Sequence, residues 1–271
     1  MITAKTKICM VIGDPIGHSL SPQMHNAGLK TLGIDSELVF VACDVKIRDM
    51  SDFIKGVRAM GIAGVSATLP HKIEIMKYMD TVDETARKIG AVNTVVNDNG
   101  ALKGYNTDWL GALIPLEKKT ELKNKRVGLL GAGGAARAII YGLKKKGSII
   151  TLFNRSLKNA NTLAEEFACG ACGLDSLEQV LDMDILINAT SVGMNEDKSP
   201  IDKKFLNKDH IVFDIIYTPK ETRLIKDAKE KGAQVILGYE MLLYQGAQQF
   251  ILYTGFDAPV EAMRKAILKN V

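Results

Sequence analysis

Arg126-Val127-Gly128-Leu129-Leu130-Gly131-Ala132-Gly133-Gly134-Ala135-Ala136 is the stretch that decides the fold. It fits G-x-G-x-x-G/A directly after a short apolar strand (Arg126–Leu130) and at the opening of a helix (Gly134–Lys146), the context in which the pattern marks a dinucleotide-binding βαβ unit. Gly131 allows the tight turn, Gly133 lets the backbone approach a pyrophosphate, and Ala136 is small enough for helix to pack closely on strand. The exposed N–H groups along Gly131, Ala132, Gly133, Gly134 and Ala135, with the positive end of the helix, suit an anion. Ala135, Ala138, Ile139 and Leu143 are spaced as the buried stripe of that helix.

The next strand bears on which dinucleotide. An NAD site usually closes it with Asp or Glu, about 20 residues on, to hold the ribose 2′-OH. Here Ile149–Phe153 runs into Asn154-Arg155-Ser156, with Lys158 beyond and no carboxylate. A guanidinium offers two parallel charge-assisted hydrogen bonds to a phosphate, so Asn154, Arg155 and Ser156 favour NADP(H) over NAD. Downstream, Leu157–Phe167 reads as a helix, and Asp184–Ala189, Ile211–Ile215 and Gln234–Leu237 as strands.

The same alternation precedes the motif. Lys7–Ile12, Glu37–Ala42, Gly64–Thr68 and Ala91–Val96 read as strands. Pro22–Leu32 and Asp49–Met60 read as helices, and Pro70 opens another. Asp98-Asn99-Gly100 is a turn consistent with a hairpin toward Lys103. A helix from Asp108 to about Lys118 and the polar run Lys119–Lys125 lead into the nucleotide series. The expected class is α/β with parallel sheets, divided into residues 1–107, 108–238 and a C-terminal pair of helices in 239–271, Tyr239–Thr254 and Pro259–Lys269.

With 46% hydrophobic and 24% charged residues among 271, there is apolar material for a core in each half. A net charge of +4 from scattered lysines does not make a nucleic-acid face. The one dense run, Lys144-Lys145-Lys146, complements a helix C-terminus. Nothing resembles a signal peptide or a membrane span, so no membrane partner and a cytosolic location are expected. Cys169-x-x-Cys172 has no second pair and no nearby histidine among His18, His25, His71 and His210, so it is read as incidental and no metal is expected.

Two segments of the first half carry chemistry. In Gly13–Pro22, Pro22 suits a first helical position and Ser21 an N-cap, whereas Ser19 has no such local role. Two hydroxyls at a helix start also suit a carboxylate. In Gly64–Lys72, Lys72 falls in the expected first turn of a helix, where a cation opposes the dipole by a few tenths to about 1 kcal/mol. Asp108 either complements its own helix dipole or pairs with Lys72 to orient it and exchange a proton.

Together these segments resemble the shikimate dehydrogenase family over essentially the whole chain. The motifs occur in the family's order: GDPIGHSLSPQMHN from Gly13, TLPHK from Thr68, IGAVNTV from Ile89, GYNTDWLG from Gly104, GAGGAARA from Gly131, NRS from Asn154, NATSVGM from Asn188 and GYEMLLYQGA from Gly238. The resemblance implies an N-terminal α/β substrate domain, a Rossmann-type dinucleotide-binding domain, and C-terminal helices that return to the first domain. It also implies NADPH-dependent, reversible reduction of 3-dehydroshikimate to shikimate in chorismate and aromatic amino acid biosynthesis. Lys72 would be the catalytic residue and Asp108 its partner. Ser19 and Ser21 would bind the substrate carboxylate, and Thr68, Asn93, Gln245 and Tyr217 would surround the ring. Gly131 to Ala135 with Asn154, Arg155 and Ser156 would hold NADP, and Thr190, Ile215 and Gly238 would line the nicotinamide.

One departure stands out. Ser66-Ala67 replaces the Asn-Val that often precedes the threonine in this family, which bears on discrimination between shikimate and quinate. An NAD-using quinate/shikimate dehydrogenase is opposed by Asn154-Arg155-Ser156. A non-enzymatic ligand sensor of the same fold is opposed by Lys72, Asp108 and the lack of an appended DNA-binding segment. A homodimer is an assembly open to the chain.

Overall fold

The computed structural model describes residues 2–271. The chain forms two compact units, one built from the chain up to Asp108 together with Leu243–Asn270, the other from Trp109–Leu242.

The first unit begins β1 (Lys7–Gly13), α1 (Ser21–Thr31), β2 (Leu38–Asp44), α2 (Met50–Ala59) and β3 (Gly64–Ala67). It continues β4 (Thr81–Val82), α3 (Glu84–Ile89), β5 (Thr94–Asp98) and β6 (Ala101–Tyr105). The sheet order is β2-β1-β3-β5-β6-β4. β1 runs parallel to β2 and β3, but β5 is antiparallel to β3 and to β6, so this sheet is mixed where a parallel one was expected. The cause is the two-residue turn Asn99-Gly100, whose φ values of 51° and 95° make the tight primed hairpin that only antiparallel strands can use. Met50, Ile54 and Val57 give α2 its buried face, packed with Met10, Ile12, Val65 and Val95.

α1 is held on β2 by Asn26, whose side chain donates to Phe40 O (2.7 Å) and accepts from Phe40 N (2.9 Å). Beside it His25, buried, stacks on the Phe40 ring at 4.2 Å. Burial pushes its imidazole down from 6.5 to about 3, with its interaction with the Gln249 side chain opposing. A depressed histidine is neutral in the fold while the unfolded chain takes up the proton first. Its stabilising contribution is therefore present above 6.5 and is lost as pH falls from there toward about 3. Unfolding free energies from urea titrations at pH 7 and pH 5 should fall on acidification, by up to about 1.4 kcal/mol per pH unit from this group. His25→Gln should flatten that slope, and an unchanged slope would contradict the assignment.

The second unit starts in α4 (Asp108–Glu117) and continues β7 (Arg126–Leu130), α5 (Gly134–Lys145), β8 (Ile149–Phe153) and α6 (Leu157–Phe167). Then come β9 (Gly170–Cys172), β10 (Ile185–Asn188), β11 (Ile211–Asp214), α7 (Arg223–Glu230) and β12 (Gln234–Ile236). Every pairing is parallel and the order is β12-β11-β10-β7-β8-β9, the doubly wound arrangement whose direction reverses between β7 and β10. α5 buries Ala136, Ile139, Ile140 and Leu143, whereas Ala135 is only half-buried, so the stripe begins one residue later than its spacing suggested. Gly142 lets α4 approach, because a Cβ there would lie 3.0 Å from Leu113 Cγ. β9 and α7 were not anticipated. β9 is three residues of Gly-Ala-Cys, and α7 is short and highly charged, starting where Thr222 Oγ1 caps Ile225 N.

α8 (Gly238–Thr254) begins among the residues of the second unit and ends among those of the first, followed by α9 (Val260–Leu268). α9 lies against α1, where Gly28 leaves space for Phe250 and Met263. Among the described residues no helix is long and apolar enough to cross a membrane, and no three His, Cys, Asp or Glu side chains cluster as metal ligands.

Candidate active site

In the first unit the neighbouring parallel strands β1 and β3 end side by side. Thr68 N donates to Ile12 O (3.0 Å) and Asp14 N to Leu69 O (3.2 Å), locking the two following loops together. Gly13 leaves room for both loops, since a Cβ there would stand 2.8 Å from Ile16 Cδ1 and 2.9 Å from Thr68 Cγ2 and force those side chains to shift. The two serines exchange their expected parts. α1 starts at Ser21 itself, with no side-chain cap, and Ser19 Oγ accepts the Ser21 N–H at 3.3 Å. Ser21 is buried and Ser19 half-buried.

Lys72 does not open a helix. His71 N bonds back to Thr68 O, and the segment is a series of turns ahead of a 3₁₀ turn at Ile75–Tyr78, so the opposing dipole inferred for Lys72 is absent. The lysine is instead fixed by its neighbours: buried His71 sets Nε2 2.7 Å from Val45 O, and Lys72 O accepts from Val92 N at 2.8 Å. Its Nζ donates to Asp108 Oδ2 at 2.6 Å. With side chains only 16% and 5% exposed, this pair is largely dehydrated. Removing one partner of such a pair leaves an uncompensated charge, at a cost of about 3–5 kcal/mol. Asp108 N bonds Asn106 Oδ1, and Asn106 is anchored to Ala91 O, so the carboxylate comes from a fixed backbone.

Asn93 lies beside this pair in the chain fold and is held at both ends. Its Oδ1 accepts from Thr94 Oγ1 (2.7 Å) and Thr107 N (2.8 Å), while its Nδ2 donates to Thr107 Oγ1 (3.0 Å) and Gln245 Oε1 (3.4 Å). Gln249, one turn beyond Gln245 on the same face of α8, donates to Asn93 O and Thr94 Oγ1. Gln249 Oε1 accepts from Ser66 Oγ at 2.9 Å, and Tyr253 OH is 2.9 Å from the same hydroxyl. Ser66, the departure from the family's asparagine, is thus spent on a buried chain toward α8. Thr107, Gln249 and Tyr253 were missed from sequence. The i, i+4 spacing of Gln245 and Gln249 was the available signal.

In the second unit the glycine loop joins β7 to α5. Gly131 has φ 106°, and a Cβ there would sit 3.0 Å from Ala189 O and from Thr190 Cγ2. Ala132 is half-buried. Gly133 precedes α5 with no side-chain cap, and a Cβ built on it would meet nothing within 4 Å. The first N–H groups of α5, on half-buried Gly134 and Ala135, carry no side-chain cap and suit the phosphates of a dinucleotide. At the end of adjacent β8, Asn154 Nδ2 donates to Ser156 O (2.9 Å) and Ser156 Oγ caps α6 at Asn159 N. Arg155 is exposed and forms no ion pair among the described residues.

Past β10, Thr190 donates its N–H (3.0 Å) and hydroxyl (2.7 Å) to Asn188 Oδ1. Past β11, Ile215 N bonds Asn188 O, and half-buried Tyr217 follows two residues on. Gly238 opens α8 where a Cβ would collide with Ile216 O. Thr190, Ile215, Tyr217 and Gly238 all belong to the second unit, whereas Gln245 belongs to the first with Ser19, Ser21, Thr68, Lys72, Asn93 and Asp108. Ser19, Ser21, Thr68, Lys72 and Asp108 follow the carboxyl ends of β1, β3 and β6, and Thr190, Ile215, Tyr217 and Gly238 those of β10, β11 and β12, where open α/β sheets carry their ligands; Asn93 directly precedes antiparallel β5 and Gln245 sits on α8.

Residues 11–95 match the shikimate dehydrogenase substrate binding domain, residues 115–216 the shikimate/quinate 5-dehydrogenase family, and residues 238–268 the shikimate 5′-dehydrogenase C-terminal domain. A shikimate dehydrogenase (NADP(+)) from Nitrosopumilus maritimus is 46% identical, covering 97% of this chain and 98% of its own. A shikimate dehydrogenase crystallised in complex with NADP+ is 43% identical with a TM-score of 0.95, covering 100% of this chain and 98% of its own. The Thermus thermophilus enzyme in complex with NADP(H) and shikimate is 36% identical with a TM-score of 0.91, covering 98% and 100%. With three consecutive domain matches and relatives of this identity over nearly full length, the chain belongs to the shikimate dehydrogenase family.

Proposed function

We propose that the chain catalyses the reversible, NADPH-dependent reduction of 3-dehydroshikimate to shikimate. The observation that carries this reading is the dehydrated Lys72–Asp108 pair at 2.6 Å. An ammonium held by a carboxylate away from water supplies both a proton and a charge to a carbonyl that is becoming an alkoxide.

Bound NADPH supplies the hydride that reaches the ring C3. Lys72 Nζ gives its proton to the C3 oxygen as charge develops there, and takes it back in the oxidative direction. Asp108 keeps Nζ aimed and accepts from the neighbouring ring hydroxyl. Ser19 and Ser21 hold the ring carboxylate. Asn93 is held by Thr94, Thr107 and Gln245, and it surrounds the ring hydroxyls together with Thr68, Gln245 and Tyr217. The backbone from Gly131 through Ala135 holds the pyrophosphate, and Asn154, Arg155 and Ser156 hold the 2′-phosphate. Thr190, Ile215 and Gly238 line the nicotinamide.

The domain roles follow: residues 1–107 with the helices of 239–271 bind substrate, and residues 108–238 bind NADP(H). The reading places the enzyme in the cytosol, where four free cysteines stay reduced. Substrate and cofactor are held by one chain, so a homodimer is compatible with the mechanism but not required by it. A single turnover of 3-dehydroshikimate with NADPH dideuterated at C4 tests the chemistry by mass spectrometry. Shikimate carrying one carbon-bound deuterium is expected. Unlabelled product, or none, would contradict the proposal.

A further inference from the structure

Asp214, the last residue of β11, is wholly buried and has no part in the chemistry above. Its hydrogen-bond partners are all neutral. Oδ1 accepts from Asn188 Nδ2 (3.0 Å) and Ile216 N (3.1 Å), and Oδ2 accepts from Thr222 Oγ1 (2.6 Å). A carboxylate buried without a cation is costly, and burial pushes this one up to about 6 against the pull of those three donors.

The partners come from three separate elements. Asn188 ends β10, and its side chain organises the turn that follows. Its Oδ1 receives Thr190 N and Oγ1, its Nδ2 also reaches Val192 O (3.2 Å), and Thr190 Oγ1 accepts from Val192 N (3.1 Å). Ile216 N lies in the turn carrying Ile215 and Tyr217. Thr222 begins α7 and caps Ile225 N. A single acceptor-only side chain thereby sets the turn after β10, the turn after β11 and the start of α7.

We infer that Asp214 is a positioning residue for the nicotinamide end of the site: acting through Asn188, Ile216 N and Thr222, it places Thr190, Ile215 and Tyr217 without touching any ligand. The inference rests on the roles proposed for those residues, the nicotinamide for Thr190 and Ile215 and the ring for Tyr217. The 2′-phosphate end is held elsewhere, by Asn154-Arg155-Ser156 beyond β8, so the two ends respond separately.

The test measures, for the parent, Asp214→Asn, Thr222→Val and Thr222→Ser, the kcat for shikimate oxidation and the affinity for adenosine 2′,5′-bisphosphate, which lacks nicotinamide. Asp214→Asn should lower kcat about tenfold or more, in keeping with the loss that a displacement near 1 Å brings. Thr222→Val should move the same way, and Thr222→Ser, which keeps the hydroxyl, should restore parental turnover. Affinity for the bisphosphate should stay within about twofold throughout. If Asp214→Asn and Thr222→Val keep parental kcat, or lose bisphosphate binding in step with turnover, the positioning role is overturned. A parent inactive with shikimate would instead overturn the proposed reaction, and this inference with it.

Discussion

Replacing Lys72 with alanine is expected to lower kcat by about 10²–10⁴-fold, the span ordinarily contributed by a positioned acid/base group. The KM for shikimate should change by only about threefold, because the ammonium matters most when negative charge has built up on the C3 oxygen. The structural basis is specific. Nζ has one carboxylate partner at 2.6 Å, and the backbone that carries it is tied through Lys72 O to Val92 N. The same substitution strands Asp108, 5% exposed, without its cation. A loss of folding stability of about 3–5 kcal/mol is therefore expected alongside, and kinetics belong well below the variant's melting temperature. Steady-state rates with folded variant, checked by its melting curve, decide the point. A kcat within tenfold of the parent would remove Lys72 from the chemistry.

The second large effect concerns the cofactor. Arg155→Ala should weaken NADP+ by about 1.5–3 kcal/mol, the worth of a hydrogen bond to a charged group, or roughly 10- to 150-fold in KM. The KM for NAD+, which has no 2′-phosphate, should stay within about twofold. Arg155 is exposed and bonded to no acid, so its removal perturbs little else. Ser156 is different, because its hydroxyl also caps α6, so a Ser156 variant would mix cofactor binding with helix stability. Equal losses for both cofactors would show that Arg155 does not read the phosphate.

How much of this was legible beforehand follows from how local each feature is. The bounds of β7, β8 and α6 were read correctly to the residue, because buried parallel strands are short unbroken apolar runs and Ser156 announces the helix. The parallel character of the first sheet was misread although Asn99-Gly100 had been recognised as a turn. A hairpin turn at Asn99-Gly100 requires antiparallel neighbours, and that makes the first sheet mixed. Lys72 was placed on a helix because Pro70 is a common first helical residue, yet the turns it lies in depend on His71 reaching Val45 O across the fold. The same holds for Ser66: its hydroxyl bonds Gln249, which is 183 residues away in sequence. No window of sequence contains that pair. Asp214 is likewise legible in sequence only as a residue within the strand Ile211–Ile215, since its three donors come from Asn188, Ile216 and Thr222.

The most direct measurement is the initial rate of growth of the reduced-nicotinamide absorbance band with purified protein, pairing shikimate or quinate with NADP+ or NAD+ at equal concentrations. Rapid reduction with shikimate and NADP+, and a rate lower by at least about tenfold with shikimate and NAD+, is the result expected from the Lys72–Asp108 pair and the Arg155 phosphate site. Equal rates with NADP+ and NAD+, or no reduction with shikimate in either pairing, would contradict it, and the quinate pairings show how far Ser66-Ala67 relaxes the choice of acid.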